Sequence, residues 1–135
     1  MRCGLSSRNG NAAEPVDLYV NGGYPATVLE FRETELFTRA VTVLLSDDEY
    51  AELQGTLVVN PETGDVIKET GGLRKLRWSQ RRRGKGKRGG VRVIYYWYAA
   101  GPLIYMLLAY SKDERDDLSA AQTKALRRLV REEFE

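Results

Sequence analysis

No histidine occurs in these 135 residues, and the only cysteine is Cys3. The missing imidazole removes Ser-His and Cys-His nucleophile pairs, histidine general bases and histidine metal ligands from this chain. One thiol closes no disulfide framework and builds no zinc site, and it fits a reducing cytoplasm. Long apolar runs are also missing. Leu103–Ala109 is strand-sized, well short of the ~18 residues of a membrane-spanning helix, so no membrane partner is expected. The opening residues, MRCGLSSRNGNAAEPVDLY, hold no apolar stretch of the kind that heads a secretory signal. The length suits one domain, and a hydrophobic fraction of 42% is enough for one core.

Acids are missing where bases gather. Between Leu73 and Lys112 stand eleven Lys/Arg residues and no Asp or Glu, while the rest of the chain holds ten basic and nineteen acidic residues, although the net charge is only +2. Six of the eleven lie in RRRGKGKRGG (Arg81–Gly90), spaced by four glycines. Such segregation points to a polyanion partner on one face, with the acidic remainder repelling nucleic acid elsewhere. Three uses of the loop stay open: a solvated surface, a handle for a polyanion, or part of a catalytic site acting on one.

Residues 1–26, rich in Gly, Asn, Pro and Ser, show no sustained period and read as an unstructured extension before a domain spanning 27–135. PATVLEF (Pro25–Phe31) reads as a short strand. Leu36, Phe37, Ala40, Val41 and Leu44 recur at helical spacing, which predicts a helix over Glu33–Leu45. Ser46-x-x-Glu49 is a capping box and predicts a second helix from Asp47 to about Val59, burying Tyr50, Leu53 and Leu57. The short link makes the two a helical hairpin, stopped by NPETGD. LRKLRW (Leu73–Trp78) predicts a strand with Lys75 and Arg77 on one face, because strand side chains alternate. VRVIYYWY (Val91–Tyr98) and LIYMLLAY (Leu103–Tyr110), joined by AAGP, predict a hairpin. Half of Tyr95, Tyr96, Trp97 and Tyr98 should face the core, leaving the others open to base stacking. A second capping box starts at Ser119, and Leu126, Leu129, Val130 and Phe134 form its helical stripe. The expected class is α+β, with helices packed on an antiparallel sheet. Asp113, Glu114, Asp116 and Asp117 have the composition of a metal cluster but read as acids leading into the last helix. No metal or cofactor is expected.

Three blocks, GDVIKETGGLRKLRW, GKGKRGGVRVIYYWY and YSKDERDDLSAAQTKALRRLV, resemble the RelE/ParE superfamily of bacterial toxins, and its HigB-like branch most closely. They stand in the family's order and spacing, and the resemblance covers roughly residues 28–130. It implies a RelE-like fold, with an antiparallel sheet against an N-terminal helical hairpin and a C-terminal helix. It also implies the toxin of a type II toxin–antitoxin module, a metal-independent endoribonuclease that cleaves mRNA on the ribosome and arrests translation and growth. The implied partners are the ribosome, mRNA and a cognate antitoxin, a helix-turn-helix protein encoded nearby. By position, the family's catalytic basic residues match Lys75, Arg77, Arg92 and Lys112. The family's tyrosine after the last strand has no counterpart in RDDLSAAQ; Tyr110 precedes Lys112. The proton-transfer residue is therefore unassigned.

The residue types suit this chemistry. Cleavage through the 2′-OH needs that hydroxyl deprotonated, charge at phosphorus stabilised and the 5′-oxygen protonated. Clustered cations disfavour one another's charge, which suits a lysine that exchanges a proton near neutral pH. Arginine offers a bidentate fork to phosphate. Arg74, Arg81, Arg82, Arg83, Lys85, Lys87 and Arg88 are the expected RNA-binding residues. Lys85 and Lys87 rank below the strand-anchored cations for catalysis, since a glycine-rich loop positions groups loosely. Two alternatives use the same parts: a ParE-like toxin that inhibits DNA gyrase without a nuclease site, and a simple nucleic-acid-binding module.

Overall fold

The computed structural model describes residues 13–20, 24–79, 90–114 and 117–134. The loop cations Arg81, Arg82, Arg83, Lys85, Lys87 and Arg88 lie outside the described residues. In chain order the elements are β1 (Ala13–Val20), β2 (Tyr24–Glu33), α1 (Glu35–Leu44), α2 (Asp47–Val59), β3 (Asp65–Val66), β4 (Leu73–Trp78), β5 (Val91–Tyr98), β6 (Leu103–Ser111) and α3 (Ala120–Phe134). The class is α+β, built on a six-stranded sheet in the order β1-β2-β6-β5-β4-β3.

Two expectations are corrected. The sheet is mixed, because Glu30–Glu33 of β2 run parallel to Leu103–Met106 of β6; the other neighbouring pairs are antiparallel. The chain leaves β2 through two helices and returns by the β3–β4–β5 meander, so its last strand meets β2 in the same direction. That pairing joins segments far apart in sequence and leaves no local pattern. The second correction is β1. Ala13–Val20, inside the segment read as unstructured, pairs with β2 from Ala13↔Arg32 to Val20↔Tyr24, so partner hydrogen bonds supply order where periodicity shows none.

Helix α1 starts at Glu35, not Glu33, because Thr34 caps it. The Thr34 hydroxyl accepts from the Phe37 N–H at 3.0 Å and donates to the Leu107 carbonyl at 2.8 Å. Glu33 remains in β2 and is buried. Its carboxylate accepts from the Tyr50 hydroxyl and from Thr38 Oγ1, each at 2.6 Å, which ties the end of β2 to both α1 and α2 and satisfies a charge that burial alone would penalise. Helix α2 has both halves of the Ser46–Glu49 capping box and buries Tyr50, Leu53 and Leu57. Leu36 of α1 is exposed.

The sheet is covered on both faces. α1 and α2 pack Phe37, Val41, Leu53 and Leu57 against Leu76, Val93, Tyr95 and Met106. α3 packs Val130, Leu126, Leu129 and Phe134 against Leu73, Ile94, Tyr105 and Leu107. β5 and β6 are buried on both sides through most of their length, which is why VRVIYYWY and LIYMLLAY show no polar alternation. The ladder between them skips Leu107, since Ile94 pairs with Leu108 and Tyr95 with Met106. This β-bulge inverts the phase of β6. Before it Leu103 and Tyr105 face α3; after it Tyr110 does, while Ala109 turns to the other core.

Thr34 therefore holds a helix cap and the bulge carbonyl together. Thr34→Ala should cost about 2 kcal/mol of unfolding free energy, the scale of a lost cap plus an unsatisfied buried carbonyl. Thr34→Ser keeps the hydroxyl and should recover most of it. Urea denaturation of the two variants checks this; equal losses would assign the effect to the Thr34 methyl.

Candidate functional site

Strand register sorts the side chains of the α3 face into rows. Leu73, Tyr96 and Tyr105 form the first, followed by Lys75, Ile94 and Leu108, then Arg77, Arg92 and Tyr110. Beyond these, the Lys112 N–H donates to the Gly90 carbonyl at 3.0 Å, which sets Lys112 next in backbone register, in the turn after β6. The face grades along the strands from apolar to cationic. Its apolar end lies under α3, where Phe134 meets the rings of Tyr96, Tyr98 and Tyr105 at centroid distances of 5.3, 4.6 and 5.8 Å. Burial and the nearby Glu133 carboxylate push the Tyr105 phenol up to about 12.

The structure thus brings Lys75, Arg77 and Arg92 onto one face, with Lys112 next in register. Arg77 is exposed, and Arg92 is only 8% exposed. Arg77 and Arg92 are directly paired across β4 and β5, a placement of like charges that destabilises a sheet. Gly90 lets the backbones of the two strands come close here. A Cβ there would stand 3.0 Å from the Trp78 carbonyl oxygen and 3.7 Å from Arg92 Nη1.

An acid that sequence reasoning assigns elsewhere completes the cluster. Lys75 Nζ donates to a carboxylate oxygen of Asp117 in an ion pair. The hydrogen bond and charge of Lys75 hold the Asp117 carboxyl below the usual carboxylate range, and Arg77 and Arg92 add weaker pulls in the same direction. The sequence pattern puts Asp117 among acids opening the last helix, yet the first turn of α3 contains no acid. Ser119 and Gln122 fill the cap instead. Ser119 Oγ accepts from the Gln122 N–H at 3.1 Å, and Gln122 Oε1 accepts from the Ser119 N–H at 2.9 Å. The lysine of β4 is the stronger electrostatic partner for a carboxylate three residues before the helix, and nothing in the local pattern around Asp117 signals it. Asp116 lies outside the described residues, and no group of three or more metal-ligating side chains gathers among the described residues.

Arg74 is not part of the cluster. It faces the other side of the sheet, where Nη1 donates to the carbonyls of Gly64 at 2.7 Å and Glu62 at 3.2 Å. On that side the Tyr95 hydroxyl donates to the Pro61 carbonyl at 2.7 Å and accepts from the Gly64 N–H at 2.9 Å. Burial raises the Tyr95 phenol above its ordinary range, against the pull of the Gly64 hydrogen bond. Gly64 has no room for a side chain, since a Cβ would lie 2.9 Å from Tyr95 Cε1 and 3.0 Å from the Lys75 carbonyl oxygen. Arg74 and Tyr95 brace this turn. Tyr96, Trp97 and Tyr98 are half-buried, with Tyr96 and Tyr98 against Phe134, so base stacking would have to compete with α3 for those two rings. Tyr110 is 4% exposed and belongs to the core beneath α3.

No protein-family model matches the chain. No helix among the described residues is long and apolar enough to cross a membrane.

The two arginines differ in what their removal should cost. Arg77→Ala should stay within about 0.5 kcal/mol of the parent, as exposed surface changes do. Arg92→Ala should lose about 1 kcal/mol through packing of its buried stem, reduced by relief of its repulsion with Arg77. Equilibrium unfolding of both variants gives the comparison, and identical stabilities would show that the Arg92 stem contributes nothing to the core.

Proposed function

We propose that this chain is the toxin of a type II toxin–antitoxin module, with a RelE-like, HigB-like fold, acting in the cytoplasm as a metal-independent endoribonuclease on ribosome-bound mRNA. One observation carries the reading. Lys75, Arg77 and Arg92 are gathered on one end of one sheet face, two of them directly opposed at a cost in stability, beside the strand ends that bracket the basic loop. Local rules of stability are broken most often where function requires it. The resemblance of the three sequence blocks supplies the substrate and the biological setting.

In this mechanism the RNA 2′-oxygen bonds to phosphorus and the P–O5′ bond breaks, leaving a 2′,3′-cyclic phosphate and a 5′-hydroxyl. Arg77 and Arg92 hold the charge that builds on the phosphoryl oxygens, a task for which guanidinium forks are shaped. Lys75 and Lys112 are the groups available to move protons at the 2′- and 5′-oxygens. The loop cations Arg81, Arg82, Arg83, Lys85, Lys87 and Arg88 bind flanking phosphates. A cognate antitoxin of the helix-turn-helix kind, encoded nearby, silences the protein.

Induced expression should arrest growth, and Arg77→Ala should abolish the arrest while the protein stays folded by circular dichroism. Purified protein should cleave ribosome-bound mRNA in excess EDTA once polyamines stabilise the ribosomes. Arrest with intact mRNA and gyrase-dependent DNA breaks would replace the ribonuclease with a ParE-like poison.

The loop is a binding device in this scheme. Exchanging Arg82, Arg83, Lys85 and Lys87 for Gln should weaken ribosome binding most at low salt, with the salt slope falling by about 0.7 to 0.9 for each phosphate that the loop no longer neutralises. The single-turnover rate at saturating ribosome should fall less. Unchanged affinity with a collapsed rate would move the chemistry onto a loop lysine.

A further inference from the structure

The cation cluster already contains an anion. Lys75 is fixed in β4 with its side chain only 18% exposed, whereas the Asp117 side chain is 73% exposed and precedes the α3 cap. Among the described residues Lys75 is the only hydrogen-bond partner of the Asp117 carboxylate. The next residue, Leu118, packs on the core beneath α3 and holds the backbone here, while the Asp117 carboxylate itself is held by its ion pair with Lys75. Arg77 and Arg92, on the same sheet face as Lys75, pull on the same carboxylate. An exposed ion pair contributes little stability, so the acid can leave at small cost and return when the cluster is empty. A carboxylate and a phosphate present the same kind of acceptor oxygens to Lys and Arg.

We infer that Asp117 occupies the phosphate position of the Lys75–Arg77–Arg92 cluster as an internal competitor, and that an incoming phosphodiester must displace it. The inference rests on the reading of this cluster as a phosphate site. Asp117 then lowers affinity for every polyanion alike and keeps a counter-charge in the cationic row between encounters. Weak anions stay out, while a polymer that also engages the basic loop overcomes the competition.

Inorganic pyrophosphate is the probe, titrated calorimetrically into the full chain at low ionic strength. Asp117→Asn should bind it about fivefold more tightly than the parent, the upper scale of one exposed ion pair, with the gain shrinking as salt rises. Asp117→Ser should show the same gain, and Asp117→Glu should stay near the parent. Asp113→Asn is the charge control, removing one nearby negative charge on an exposed residue. Equal affinity in Asp117→Asn, or an equal gain in Asp113→Asn, overturns the inference, the latter by reducing it to net charge. Cleavage of ribosome-bound mRNA by the parent protein decides the ribonuclease separately. A pyrophosphate gain with no RNA cleavage keeps the internal competitor and removes the nuclease.

Discussion

Leu107, the residue of β6 that β5 does not pair, sets which side chains of that strand reach which face. Without the bulge, a strict period of two would carry the Leu103 and Tyr105 phase through Ala109 and would turn Tyr110 away from the Arg92 face. With it, one strand serves two different cores and still delivers its end to the cationic row. The carbonyl freed at the bulge is taken by Thr34, which also caps α1. The place where β2 stops pairing with β6, the start of α1 and the phase of the site therefore share one hydroxyl. Glu33, bonded to Tyr50 and Thr38, anchors the same junction from the neighbouring position.

Charge on the α3 face is arranged against stability. Arg77 and Arg92 stand directly opposed across β4 and β5, a like-charge placement that costs stability, and Arg92 is nearly buried. Placing Asp117 beside Lys75 reduces the repulsion without filling the row with apolar side chains. A fold selected for stability alone could place apolar or aromatic side chains in these strand positions, as the Leu73, Tyr96 and Tyr105 row does. The Lys75, Arg77 and Arg92 cluster is held in place by the strands that carry it, and its three side chains differ in freedom, from the exposed Arg77 to the nearly buried Arg92.

Much of the architecture is legible in the sequence because its signals are local. The Ser46–Glu49 box marks the start of α2, and the Ser119–Gln122 box marks the start of α3. The β4 pattern, with Leu73 and Leu76 buried at either side of Lys75, can be read residue by residue. The parts that are not legible depend on partners distant in the chain. β1 owes its strand to β2, the parallel β2–β6 pairing joins sequence-distant segments, and the Leu107 bulge is visible only when both strands are seen together. The same holds at the site. Strand phase puts Lys75 and Arg77 together, but Asp117 reaches Lys75 across 42 positions. Arg74 shows the converse, since it stands next to Lys75 in the sequence while its bonds go to a turn on the other face.

The grading of the α3 face explains why the apolar run and the basic residues are neighbours in the sequence. A strand crossing from beneath α3 to an open edge must change character along its length. β5 does so from Tyr96 and Tyr98 under Phe134, through Ile94, to Arg92 and Gly90. β4 makes the same change from Leu73 to Arg77. The apolar ends fix both strands against α3, and rigidity at those ends is what places guanidinium groups within reach of one another at the other. The sequence between these two cationic ends, Arg81–Gly90, adds six more basic residues where the field is already positive.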